Sequence, residues 1–244
     1  MLVVSAGMQK SGSAYLYNLV NDLMTHAEQG IDARWVKADR QLPHLMKWHN
    51  NNIEDLNLFK LLYLWSISVR DGDFAVKTHS GPTLSLRLME ILGMVRTVYC
   101  FRDPRDVLLS AIDHGKQILA DGQNHTFAGI VDFDKALASV QEWLITWKQY
   151  NELPAVLKIR YEDLIADPVS TLESIEKYIG IAVEDGTRQD ILWKYSRANK
   201  GGERKGMHFN KAEIYRYKTE MEKQQMEKCN AVFGDYIGAM GYET

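Results

Sequence analysis

The sequence is poor in the patterns that hold metals or cross-links. It has two cysteines, Cys100 and Cys229, and neither belongs to a CxxC pair, which excludes zinc and dithiol redox motifs. Cys100 sits in an apolar run and reads as a core thiol. The seven histidines are scattered. His44 and His49 are close, but no HExxH or comparable ligand spacing occurs, so no protein-ligated metal is expected. A basic excess is also missing: 29 lysines and arginines stand against 32 acidic residues, a formal net charge of -3. That balance argues against nucleic acid as a partner. No apolar window has the length of a membrane helix, and the apolar opening at residues 2–6 is too short for a secretory signal. The expectation is a cytoplasmic protein of a reducing compartment with no membrane association.

What is present is ordinary globular composition, 45% hydrophobic over 244 residues, enough for one large core. A β-branched run at residues 2–6 ends in Gly7 and reads as a buried strand. After a glycine loop, Leu16, Leu19, Val20 and Leu23 recur at helical spacing. Strands are expected at 74–77, 95–101 and 156–160. Helices are expected at 39–49, 54–69, 83–92, 104–120 and 133–150. A further helix opens at Asp167-Pro168 and ends at Gly180, and another covers 184–195. Residues 121–132 and 197–210 read as loops, and the C-terminal helix fades near residue 232. Strands alternating with helices predict one α/β domain over residues 1–244: a three-layer sandwich with a mostly parallel sheet flanked by helices and a P-loop-like nucleotide-binding core.

The loop Gly7-Met8-Gln9-Lys10-Ser11-Gly12-Ser13-Ala14-Tyr15 joins the first strand to the first helix. Glycines let backbone N–H groups turn toward an anion, the helix start adds unpaired N–H groups and a positive dipole end, and Lys10 adds a full charge. Ser11 and Ser13 supply hydroxyls. The order is not Walker A, which ends in Gly-Lys-Ser/Thr; here Lys10 precedes Ser11 and Gly12. A plain strand-to-helix turn is the competing reading.

Three other segments carry chemistry. The second strand ends in Lys77-Thr78-His79, at the edge where open α/β sheets gather ligands, and a histidine there is placed to act as a general base. The third strand ends in Phe101-Arg102-Asp103-Pro104-Arg105-Asp106-Val107, with Ser110 a turn later. Asp103 and Pro104 are explained by helix initiation. Arg102 and Ser110 are not, and an arginine fork suits a phosphate. Gly201-Gly202-Glu203-Arg204-Lys205-Gly206 is either a solvated basic loop or a flap over a phosphate.

Taken in order, these segments resemble the sulfotransferase family that uses 3′-phosphoadenosine 5′-phosphosulfate (PAPS). Lys10-Ser11-Gly12-Ser13 is similar to the family's 5′-phosphosulfate loop, and Lys77-Thr78-His79 to the stretch with the catalytic histidine of the cytosolic-type branch. Arg102–Val107 with Ser110 resembles the 3′-phosphate segment, Lys158–Leu164 the strand and turn that follow it, and Arg204-Lys205-Gly206 the late flap. The resemblance runs from residue 1 to about 206. It implies that Lys10 stabilises the leaving group, His79 takes the acceptor's proton and Lys77 helps neutralise the sulfuryl group. It implies that the backbone N–H groups of Ser11, Gly12, Ser13 and Ala14, with the Ser13 hydroxyl, hold the 5′-phosphate, and that Arg102, Ser110, Arg204, Lys205 and Gly206 form the 3′-phosphate site. Tyr15 stands where many members stack a tryptophan on adenine, and Tyr161 is expected near the nucleotide. The family's C-terminal dimer motif is not visible, which leaves the oligomeric state open. The leader that lines the acceptor pocket of vertebrate cytosolic members is not seen before the first strand.

The implied reaction is sulfuryl transfer from PAPS to a hydroxyl or amine of a small-molecule acceptor, giving adenosine 3′,5′-bisphosphate (PAP). Lysines in place of a metal suit the modest charge of a sulfuryl group. Candidate acceptor contacts are Trp35, Trp48, Asp113 and His114, with His44, Tyr63 and Trp65 nearby in the sequence; Asp113 points to a polar or cationic acceptor. Two rivals stay open: a P-loop kinase of a small molecule using ATP and Mg²⁺, and a nucleotide-binding relative without catalysis.

Overall fold

The computed structural model describes residues 1–32, 52–123, 125–196, 198–199 and 213–243. In chain order they form β1 (Leu2–Gly7), α1 (Ser13–His26), α2 (Leu58–Asp71), β2 (Phe74–Thr78), α3 (Leu84–Ile91), β3 (Val95–Phe101) and α4 (Pro104–Ala120). A 3-10 turn at Thr126–Gly129 follows, then α5 (Phe133–Asn151), β4 (Leu157–Arg160), α6 (Tyr161–Ala166), α7 (Pro168–Ile179), α8 (Asp185–Lys194), α9 (Tyr217–Glu220) and α10 (Lys223–Ala239).

The four strands are all parallel, in the order β2-β1-β3-β4. Parallel neighbours need crossover connections, and these place helices on both faces of the sheet. Side-chain alternation divides the sheet residues between two cores. Leu2, Val4, Ala6, Phe74, Val76, Val95, Tyr99 and Phe101 face one, with α2 to α5 and α10. Val3, Ala75, Val98 and Cys100 face the other, with α1, α7 and α8. The expected α/β sandwich with a parallel sheet is what forms.

Local sequence explains most helix starts. Asn57, Thr83, Asp103, Asp132 and Asp167 each accept a backbone N–H from the first turn of α2, α3, α4, α5 and α7. The helix expected from residue 54 therefore starts at Leu58. The residues before it run along β2 instead, with the Ile53 N–H donating to the Lys77 carbonyl at 2.8 Å. The turn expected after β4 is the short helix α6. The last helix outruns its expected end near 232, because Cys229, Phe233 and Ile237 continue one buried stripe that outweighs Gly234 and Gly238. The helix expected at 39–49 lies outside the described residues.

Phe233 is fully buried in the first core, so the C-terminal helix is part of that core. Phe233→Ala should cost about 3–5 kcal/mol of unfolding free energy, read as a lower midpoint in urea denaturation with the slope kept.

Candidate active site

The strand order reverses direction between β1 and β3, so the carboxyl ends of these strands form the crevice where open α/β sheets bind ligands. The loop after β1 enters it. The Met8 N–H donates to the Cys100 carbonyl at 2.9 Å, extending the β1–β3 ladder by one residue. The chain then turns through Lys10, φ 61°, and Gly12, φ 84°. Ser11 is fully buried. Its hydroxyl donates to the Met8 carbonyl at 2.6 Å, with the Cys100 carbonyl at 3.1 Å, and the Cys100 thiol donates back to the Ser11 carbonyl at 2.9 Å. This corrects one expectation: the Ser11 hydroxyl staples the loop to β3 rather than facing a phosphate. Burial pushes the Cys100 thiol up to about 12, so it serves as a neutral donor.

Gly12 begins α1 with no side-chain cap. The first N–H groups of α1, at Ser13 and Ala14, have no intrahelical partner. Only glycine fits at position 12, because a Cβ there would lie 2.5 Å from the Tyr161 ring, in a left-handed conformation that already disfavours side chains. Tyr161 thus lies against the loop. The Tyr15 ring packs at the second core, where burial pushes the phenol up to about 12.

The positive groups converge at this edge. β2 ends at Thr78 beside the end of β1, which brings Lys77 and His79 to the loop. His79 Nδ1 lies 2.7 Å from the Gly7 carbonyl oxygen. A carbonyl only accepts, so Nδ1 carries the proton and Nε2 keeps its lone pair. Burial, with repulsion from Lys77 and then Lys10, pushes the imidazole down to about 3 against the Gly7 bond that raises it. Lys77 is 5% exposed, and burial pushes its ammonium down to about 8. Lys10 also falls to about 8, through burial and then Arg102, with Lys77 adding to the repulsion and Asp113 opposing it. Among the described residues neither ammonium group forms a hydrogen bond or an ion pair. Two closely placed ammonium groups with no bonded carboxylate among the described residues make this edge electropositive.

The β3–α4 turn is built the opposite way. Asp103 caps α4 and receives Arg105 Nε at 3.0 Å and Nη2 at 2.7 Å. Asp106, fully buried, receives Arg102 Nη2 at 3.0 Å and the Tyr217 N–H at 3.0 Å. Arg102 also donates to the Glu213 carbonyl, and its guanidinium lies 4.4 Å from the Tyr161 ring centroid. Its Nε is buried without a partner among the described residues. Ser110 is buried one turn further along α4. The C-terminus closes the arrangement: Tyr242 donates to Glu162 at 2.6 Å, and the Glu243 carbonyl accepts from Arg105 at 2.6 Å.

Asp113 is ion-paired, with Arg216 Nη2 2.7 Å from its carboxylate. His114 instead joins an aromatic group with His125 and Phe127, at centroid distances of 6.2 and 5.0 Å. Lys10 Nζ stands 5.7 Å from the Phe127 centroid. Tyr63 is exposed and Trp65 packs against the first core. Trp35, His44, Trp48, Arg204, Lys205 and Gly206 lie outside the described residues. His125 and Phe127, from the loop read over 121–132, and Arg216 were not singled out individually in the sequence, and nothing near Arg216 marks it. No group of His, Cys, Asp and Glu among the described residues could hold a metal ion, and no helix is long and apolar enough to cross a membrane.

The sulfotransferase domain family matches residues 2–241, and the chain belongs to it. It is similar to a 3-alpha-hydroxysteroid sulfotransferase of Cavia porcellus, 29% identical over 109 residues, or 41% of this chain and 36% of the relative. The match thus spans little more than a third of that curated relative. Among solved structures, a mouse sulfotransferase complexed with PAP superposes with a TM-score of 0.60 at 15% identity, covering 97% of this chain and 84% of that one. Retinol dehydratase in complex with androsterone and inactive cofactor PAP gives 0.57 at 17% identity, covering 97% and 80%. A Mycobacterium avium sulfotransferase gives 0.53 at 13% identity, covering 99% and 77%. At these identities the likeness establishes the fold.

The depressed Lys77 makes a stability prediction with a definite sign. A lysine whose folded pKa lies below its unfolded value destabilises the fold while it is charged in both states, and stability climbs with pH where the unfolded chain binds the extra proton. That penalty is full below pH 8 and vanishes as pH rises toward 10.5. Lys77→Met should therefore stabilise the ligand-free protein by about 1–4 kcal/mol at neutral pH, and the gain should shrink between pH 8 and 10.5. Thermal melts of both proteins across that range check it; a gain that grows with pH contradicts the assignment.

Proposed function

We propose that this sulfotransferase-family chain transfers a sulfuryl group from PAPS to a hydroxyl or amine of a small-molecule acceptor, as one unit over residues 1–244. The observation that carries this reading is the meeting of Lys10, Lys77 and a neutral, Gly7-tethered His79 at the ends of β1 and β2. The residues fit the nucleotide. An uncapped helix start and Lys10 suit the 5′-phosphosulfate, and Arg102 Nε, without a partner among the described residues, suits a second phosphate together with Ser110. Arg204, Lys205 and Gly206 complete that second site in the resemblance.

The chain's groups divide the work. As the bond from the acceptor oxygen or nitrogen to sulfur forms, the bond from sulfur to the bridging oxygen of the 5′-phosphate breaks. The acceptor's proton passes to His79 Nε2, the nitrogen that the Gly7 bond leaves with its lone pair. Lys10 meets the charge that grows on the leaving phosphate oxygen, and Lys77 that on the sulfuryl oxygens. Burial is the main cause that holds His79 low; a bound anion offsets the further depression from Lys77 and Lys10, so His79 becomes a stronger base when the site is filled. The curated relative's name carries a steroid, and the retinol dehydratase structures hold androsterone or retinol; a small-molecule alcohol is the acceptor class this chain shares with them in our reading. Two buried free thiols suit a cytoplasmic setting.

PAP should raise the melting temperature more than equal concentrations of ATP or AMP, because PAP alone fills both phosphate subsites. Equal shifts count against the reading. His79→Ala should remove transfer, a loss of at least about 100-fold, while leaving the PAP shift nearly intact.

A further inference from the structure

The turn that presents His79 is also held from a helix that plays no part in the chemistry above. The Tyr150 hydroxyl, on the last turn of α5, donates to the Ser80 carbonyl at 3.0 Å. The Ser80 N–H donates to the Thr78 hydroxyl at 3.0 Å, and that hydroxyl donates to the Ile53 carbonyl at 2.7 Å. Both peptide groups flanking Ser80 are therefore fixed, one by β2 and one by α5. Gly81 shows how closely α5 approaches, since a Cβ there would lie 2.4 Å from Gln149 Oε1.

We propose that Tyr150 is a positioning residue for sulfuryl transfer: its hydroxyl fixes the backbone from which His79 presents Nε2. The inference rests on the reading of His79 as the base. His79 has two anchors, its ring bond to Gly7 and its own main chain. The ring bond alone sets the tautomer but leaves the imidazole free to swing with the turn. The main-chain anchor passes through Ser80 to Tyr150.

Packing does not explain the hydroxyl. Tyr150 is fully buried and stacks on Tyr99 with centroids 4.5 Å apart. A phenylalanine would fill the same space. Tyr99 is the internal comparison: its hydroxyl is equally buried and has no partner among the described residues. The stack thus tolerates a hydroxyl that bonds nothing, and the Tyr150 hydroxyl is distinguished by the carbonyl it reaches. Burial, with Glu90 nearby, holds the Tyr150 phenol above its usual range, so it remains a donor through any assay pH.

The test compares Tyr150→Phe with Tyr99→Phe in the full chain, with PAPS as donor and p-nitrophenol as probe acceptor. If the probe is not turned over, the slow loss of sulfate from PAPS to water is followed instead. Tyr150→Phe should lower kcat about tenfold, since small misplacements of a reacting group are costly. The KM for PAPS and the PAP-induced melting shift should stay within about twofold of wild type by the same argument. Tyr99→Phe should keep the wild-type kcat. The nitrogen-15 imidazole spectrum, which needs no acceptor, should show the His79 Nδ1 proton protected in wild type and Tyr99→Phe and exchange-broadened in Tyr150→Phe. Wild-type kcat and an unchanged spectrum in Tyr150→Phe overturn the proposal, as do equal losses in both variants or a loss of kcat that merely parallels lost PAP binding. His79→Ala separates the two levels. Retained turnover there sinks the base reading itself, whereas an inactive His79→Ala beside a wild-type Tyr150→Phe sinks only the positioning role.

Discussion

Two ammonium groups are kept from water at the carboxyl edge of the sheet without a carboxylate bonded to either among the described residues, and the surrounding construction makes that arrangement possible. Lys10 and Lys77 lie on different strands' ends, yet each lowers the proton affinity of its neighbours. A chain free to relax would turn these side chains outward. Here Lys77 belongs to a strand buried at every position, and Lys10 belongs to a loop stapled to β3 through Ser11, Met8 and Cys100. Two hydrophobic cores hold the strands, and the strands hold the charges.

The loop and the β3–α4 turn meet through one aromatic ring. Tyr161 lies against Gly12 and under Arg102, so a side chain from the start of α6 joins segments almost ninety residues apart. Arg102 in turn shares Asp106 with the Tyr217 backbone, and Arg105 reaches the Glu243 carbonyl. The C-terminal residues therefore belong to the same polar network as the strand ends, although they follow the 3′-phosphate segment by more than a hundred positions.

Much of this was legible in the sequence, for physical reasons. Buried strands and the β1–loop–α1 unit announce themselves by apolar runs and glycine. Asp103-Pro104 announces a helix start. Lys77 and His79 could be put at a ligand-binding edge because open α/β sheets gather ligands at the carboxyl ends of their strands, and it was the family resemblance that joined them with Lys10. What the sequence hid depends on contacts between distant segments. Nothing in the order Lys10-Ser11-Gly12 says that the serine turns inward, since that follows from the position of the Cys100 carbonyl. Tyr15 reads as a loop aromatic until the second core is assembled around it. Asp113 reads as an available anion until Arg216 is folded beside it. The end of the last helix was misplaced because glycine propensity was weighed without the buried stripe that overrides it.

The two halves of the site differ in how their charge is balanced, and the difference bears on how binding energy is spent. The arginines of the β3–α4 turn are already answered by Asp103, Asp106 and two backbone carbonyls. An anion arriving there gains the remaining donors of a preset fork and relieves little strain, which is the behaviour of an anchor. The lysines near the ends of β1 and β2 have no such partners among the described residues. In the proposed function an anion arriving there would offset their repulsion and, by the same act, raise the basicity of His79. In the proposed reaction the charge that matters most develops on the bridging and sulfuryl oxygens, beside those lysines. A site that neutralised them internally would bind its nucleotide from the arginine end alone and have less field left for the bond that breaks.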